Sequence, residues 1–151
     1  MNLGWLNLVI EEVRRRLCRP GVLYSLMLFN QWQEGFFIGL FESHEYAQQT
    51  AERYLSAVPG FRDYPCTYEI TEKTVHGFAR LTMKVYVVWG WNENSEGYDT
   101  DIWCSDCYTD WEEAEKVFAD TKQCLNRQEW SLDGYPINQC HWTDGFVRMF
   151  Y

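Results

Sequence analysis

No run in this chain approaches the ~18 consecutive apolar residues that a membrane-spanning helix requires, so a helical membrane span is excluded. Positive charge is scarce as well: 13 Lys and Arg stand against 22 Asp and Glu, a formal charge of −9. A phosphate-backbone binder needs clustered Lys and Arg to displace counterions, so direct nucleic-acid binding is not expected. Glycine patterns that carry chemistry are missing, with neither a nucleophile elbow nor a phosphate-cradling loop, and the imidazoles are limited to His44, His76 and His141. Met1 to Ile10 has no basic n-region, and its short apolar run leads into Glu-Glu-Val-Arg-Arg-Arg without a small-residue cleavage site. The six cysteines (Cys18, Cys66, Cys104, Cys107, Cys124 and Cys140) are therefore expected to be reduced, and the protein cytoplasmic.

What the chain does hold is apolar and aromatic. With 151 residues, 46% of them hydrophobic and 18% aromatic, it has the material for a single domain, 1–151, with a buried core. Eight Trp, ten Tyr and nine Phe exceed what one small core usually takes, so some rings are expected at a surface, either meeting a partner or partly exposed. The negative charge is uneven: the net is −1 over residues 1–83 and −8 over residues 84–151. Ten carboxylates lie between Glu93 and Asp120 with one base, Lys116, among them.

Hydrophobic spacing supplies the architecture. Leu6, Val9, Ile10, Val13 and Leu17 recur at helical spacing, so an amphipathic helix is expected over 2–18, with Arg14, Arg15, Arg16 and Arg19 clustered at its end, where they complement the helix dipole. Val22 to Phe29 and Phe36 to Phe41 read as strands joined by a Gly35 turn, with Gly39 marking a bulge or a close backbone approach. Ser43 caps a helix that Pro59-Gly60 ends, and Thr67 to Val75 alternates as a half-buried strand. The same order returns after a joint at His76 to Met83. Lys84 to Trp91 is the clearest strand, Asp101 to Cys107 the next, Asp110 to Lys122 a helix, and Glu129 to Leu132 a shorter strand. A terminal strand is expected from Val147 to Tyr151. The fold class read from this order is α+β: two tandem β-β-α-β copies, 22–77 and 84–151, packed into one mixed domain behind the N-terminal helix.

Two short motifs accompany that order. One is Pro59-Gly60-Phe61-Arg62-Asp63 in the first copy, and the other is His141-Trp142-Thr143-Asp144-Gly145-Phe146 in the second. Together with the hairpin–helix–strand order they resemble an uncharacterised small bacterial domain family over most of residues 22–150. The resemblance implies the fold rather than an activity. Each copy has kept one motif and lost the other: the first retains only His76-Gly77-Phe78, and the second has Lys122-Gln-Cys-Leu-Asn126 at its helix end.

Candidate chemistries fare less well. Cys104-Ser-Asp-Cys107 lacks the second close pair of a structural zinc site, so free thiols and no metal or cofactor are expected. Asn92-Glu-Asn-Ser-Glu-Gly97 opens like a calcium loop, but Trp103 stands where a bidentate Glu should close it. His141 and Trp142 are expected in a turn, the indole on the core and the imidazole capping a backbone group. Two functional readings stay open. The first is a non-enzymatic acidic interaction domain, an inhibitor, immunity-type or regulatory protein, that binds a partner's basic surface and could act as a nucleic-acid mimic. Its contact residues would be Trp91, Glu93, Glu96, Tyr98, Asp99, Asp101, Glu112, Glu113 and Glu115 on one side of the second copy. The alternative is a small-ligand-binding domain or an enzyme with an aromatic cleft between the copies.

Overall fold

Strand β1 (Val22–Asn30) alternates buried and half-buried positions, as a strand covered on both faces does. It is the centre of an antiparallel trio, flanked by β2 (Gly35–Phe41) and β3 (Cys66–His76). Between these lies helix α1 (His44–Ala57), whose N-cap Ser43 accepts the Tyr46 N–H. The second half has β4 (Lys84–Glu93) at its centre, with β5 (Asp99–Cys104) on one side and β7 (Glu129–Pro136) on the other. Helix α2 (Trp111–Cys124), capped by the Asp110 carboxylate, precedes β7. A two-residue strand β6 (Cys107–Tyr108) joins the halves, parallel to the end of β3 and antiparallel to β4. The seven strands of the described residues thus form one mixed sheet, and the class is α+β. The computed structural model describes residues 4–6, 21–77, 80 and 83–148.

Two cores account for the layering. Leu26, Leu28, Phe36 and Ile38 of the first trio pack with Ala47, Ala51 and Tyr54 of α1, which places α1 on the outer face of that trio. The opposite face turns Leu23 and Leu40 toward Val85, Val87 and Trp89 of β4, so the halves share an interior between them. Burying each such side chain contributes about 1.5–3 kcal/mol, which ties the halves together. Helix α2 covers the outside of the second trio, with Ala114 buried and the Trp111 ring 5.1 Å from that of Tyr86.

Several boundaries differ from those the sequence predicts. The second strand of the later half is broken at Ser105, because its hydroxyl takes the Val88 N–H at 2.8 Å and displaces the next ladder bond. Strand β7 continues to Pro136 rather than stopping near Leu132: Gly134 passes beneath the Tyr86 ring, where a Cβ would lie 3.0 Å from it. Gly39 fills both expected roles, since β2 bulges at Ile38 and a Cβ at 39 would meet the Gln139 carbonyl at 2.5 Å. Val147 and Arg148 belong to no strand, and the rest of the predicted terminal strand lies outside the described residues. Of the predicted helix 2–18, only 4–6 are described, and these are helical. No helix among the described residues is long and apolar enough to cross a membrane.

Candidate functional site

Strand alternation in both halves aims side chains into the shared interior, and at one end the interior is not filled. There a cleft of about 200 Å³ opens between Met27, Gly35 and Phe37 of the first half and Trp89, Trp91, Ile102 and Tyr135 of the second. Gly35 keeps it open, because a Cβ there would lie 2.8 Å from Ile102. The walls are ring edges and faces: Phe37 stands 5.0 Å from Trp89 and 4.7 Å from Tyr135. Polar groups sit at the mouth. Trp89 Nε1 donates to the Tyr135 hydroxyl at 2.8 Å, and Ser131 Oγ donates to Asp133 Oδ2 at 2.8 Å. The Tyr135 hydroxyl lies 3.5 Å from the same carboxylate oxygen. Burial, followed by the Asp133 charge, pushes the Tyr135 phenol well above its ordinary range, so it stays protonated and is no general base. Asp99 lies on the opposite rim, and desolvation, then Glu93 and Glu34, raise its pKa. Among the described lining residues none is basic.

The acidic residues singled out in the sequence do not gather on one surface. Glu93, Glu96 and Asp99 surround the β4–β5 turn, which Asn94 organises by accepting the Glu96 and Tyr98 N–H groups at 2.9 Å each. That turn, with its calcium-like opening, is thus a hairpin held by an Asn side chain. Asp101 sits at the bulge in β5 with φ 52°, and its carboxylate accepts from Asn92. Exposed Glu112 and Glu113 begin α2 beside Tyr86, and Glu115 follows within the same turn. Seven residues of β4 separate Tyr86 from Glu93, roughly 23 Å at about 3.3 Å per residue. That spacing exceeds twice the screening length at physiological salt, about 8 Å, so the two clusters act separately. Trp91 is half-buried against the inner core. Tyr98 is half-buried too, its hydroxyl accepting from Arg148, whose guanidinium lies over the rings of Trp32 at 4.1 Å and Tyr98 at 4.7 Å and pairs with Glu34.

The two short motifs, by contrast, meet. After β7 the chain runs along the open edge of β2, where Asn138 and His141 N–H groups donate to the carbonyls of Leu40 and Ile38 at 2.7 Å each. It then docks on the turn after α1. Phe146 N–H donates to the Pro59 carbonyl at 3.1 Å, and the Tyr54 hydroxyl donates to the His141 carbonyl at 2.8 Å. Gly60 and Gly145, at φ 83° and 76°, are the residues at the contact: a Cβ on Gly145 would fall 1.8 Å from Pro59 O, and one on Gly60 2.4 Å from Phe146 O. Phe61 lies 5.0 Å from Phe146, ring to ring, and Asp63 accepts the Gly60 N–H and the Arg62 guanidinium, which hold its carboxyl below the usual range. Thr143 and Asp144 are exposed at the tip of the returning turn. Trp142 packs edge-on against Phe36 but stays 48% exposed. The His141 ring caps no backbone group through Nε2, which is buried without a partner among the described residues; its own main chain makes the bonds, and burial lowers its pKa.

Cys104 and Cys107 border the interior as thiols, and desolvation pushes them up to about 11 and about 12. Cys124 is exposed at the end of α2. A maleimide at neutral pH is therefore expected to label Cys124 in the native protein while Cys104 and Cys107 react only after denaturation, as peptide mass mapping would show; prompt native labelling of Cys107 would contradict this placement. Among the described residues, no group of three His, Cys, Asp or Glu could hold a metal ion.

Phe37, Trp89, Ser131, Asp133 and Tyr135 were not singled out by sequence. Their signal is period two: Trp89 and Trp91 share one face of β4, and Ser131, Asp133 and Tyr135 share one face of β7 once β7 is known to reach Pro136. Comparison of the chain with protein-family models, curated proteins and solved structures finds no match in any of the three.

Proposed function

We propose that this protein binds a small organic cation in the cleft between its halves and is a binder rather than an enzyme. The supporting observation is the lining: Phe37, Trp89, Trp91 and Tyr135 supply π faces and apolar contact, while Asp99 and Asp133 supply negative charge without a competing base among the described lining residues. A cation over aromatic faces gains ~0.5–2 kcal/mol, and a neighbouring carboxylate orients it. The polar groups are committed to one another, and Tyr135 is held protonated, which supports binding over proton-transfer chemistry. We also read the two β-β-α-β units as copies of one ancestral unit. In each the first strand is central, its neighbours are the second and last long strands, and the helix lies outside.

Tryptophan fluorescence titration with benzylammonium against benzyl alcohol tests the site. Benzylammonium is expected to bind at least about tenfold more tightly, a difference of about 1.4 kcal/mol, and Asp133→Asn to remove most of that preference. Protonated Asp99 carries no charge, so cation affinity should be full above its raised pKa and fall as pH drops through it; Asp99→Asn should flatten the profile. Equal affinity for the amine and the alcohol would remove the cation reading.

A further inference from the structure

We propose that the barrel-like interior has a missing strand, and that an extended segment of a partner protein, with apolar and basic residues together on its inward face, pairs into the slit between β3 and β5. The slit follows from the topology. β3 meets β6 only at Val75 and His76, and β5 pairs only with β4, so among the described residues the facing edges of β3 over 66–74 and of β5 pair with no strand. Open edges of that length are pairing templates. Both run in the same direction, because β6 is parallel to β3 and both β5 and β6 are antiparallel to β4. One inserted strand can therefore be antiparallel to both neighbours, the more stable pairing.

The space between them is present and shaped for that occupant. Adjoining cavities of about 490 and 320 Å³ share Phe29, Glu69 and Ile102 along the slit. Its floor is the inner face of the fold, with Met27 and Phe29 on one side and Trp89 and Ile102 on the other, where alternate apolar side chains of an inserted strand would be buried. Glu69, Asp99 and Asp101 line the wide end, and no basic residue is among the described residues lining it. Glu69 stands opposite Met27 in the β1–β3 ladder and Asp99 opposite Glu93 in the β4–β5 ladder, so both carboxylates share the inner face and would meet inward side chains of the strand at the wide end, which fits lysine or arginine there. At the narrow end the Lys73 ammonium crosses the slit to the Cys104 carbonyl at 3.0 Å, supplying a donor where a guest strand's N–H would otherwise be and limiting the guest to the open end. Main-chain bonds would give this recognition its affinity and the alternate side chains its selectivity.

The probe is a capped, fluorescein-labelled nonapeptide with valine at its first, third and fifth positions, lysine at its seventh and ninth, and threonine between them. Saturable binding in fluorescence anisotropy is expected, together with slowed amide exchange confined to residues 66–72 and 99–104. N-methylation of alternate peptide amides should weaken binding at least about tenfold, as should replacing the lysines by glutamate. Glu69→Lys, an exposed change that leaves the fold intact, should weaken the peptide about tenfold while leaving benzylammonium binding unchanged, so this proposal and the cleft reading can fail separately. No binding, equal binding of the N-methylated peptide, protection mapped elsewhere, or edge amides already slow in the free protein would each overturn it.

Discussion

Gly145→Ala is expected to destabilise the protein by about 3 kcal/mol or more, among the largest effects of any single methyl group in this chain. Two costs combine. A non-glycine residue held at positive φ loses about 1–3 kcal/mol. The added Cβ also has no room, since it would stand 1.8 Å from the Pro59 carbonyl oxygen, and Pro59 is fixed between the end of α1 and Gly60. Relief requires the 141–146 segment to lift, which gives up the Phe146 N–H bond and the contacts of Phe146 with Phe36, Phe61 and Tyr64. Gly97→Ala is the matched control. It too sits at positive φ, but its Cβ would meet only a Glu93 carboxylate oxygen at 3.6 Å, so it should cost only the backbone share. Urea denaturation of both variants separates strain from docking. For a domain of this size the full loss in Gly145→Ala corresponds to a Tm drop of roughly 6–12 °C. Equal losses in the two variants would show that the segment does not depend on its seat at Pro59.

How far the sequence discloses this arrangement depends on the range over which each feature acts. The α+β class, the long strands and the Ser43 cap were legible because they rest on nearest-neighbour chemistry: β-branched runs in Val85-Tyr86-Val87-Val88, Ser43 ahead of helical spacing, and Pro59-Gly60 after it, whereas for the second helix Thr109 and Asp110 read equally well as the cap. The end of β7 was not, because Gly134 and Pro136 are breakers by local rule and are tolerated only where Tyr86 covers the one and the strand finishes at the other. The separation of the acidic residues was not legible either, since β5 and β6 carry the chain from the Glu93 end of β4 back to the Tyr86 end, where Glu112 and Glu113 begin α2. Motif contact was the least accessible, for Phe61 and Phe146 meet through a return of the chain along β2 that no periodicity announces. The aromatic cleft stood among the sequence readings as an alternative; its particular residues needed the register of four strands.

Phe36→Ala is the second large effect, expected at about 3–5 kcal/mol from lost burial and the cavity left behind. Phe36 is 5% exposed and lies where three segments converge, with ring centroids 5.1 Å from Phe61 and 4.9 Å from both Trp142 and Phe146. It belongs to β2, so its loss acts on the hairpin and on the returning segment at once. A purely local core residue would lower global stability and leave the order of local opening unchanged. A residue that seats the 141–146 segment should also raise amide exchange at His141 and Phe146, whose N–H groups bond to Ile38 and Pro59, beyond the change in global stability. A double-mutant cycle with Phe146→Ala decides between these roles. Contacting rings in one cluster are expected to couple by about 0.5–3 kcal/mol, because removing either one already releases the contact. If the two losses simply add, and exchange at His141 and Phe146 follows global unfolding alone, then Phe36 is a core residue of the first half and the union of the two motifs rests on the glycine seat at Pro59.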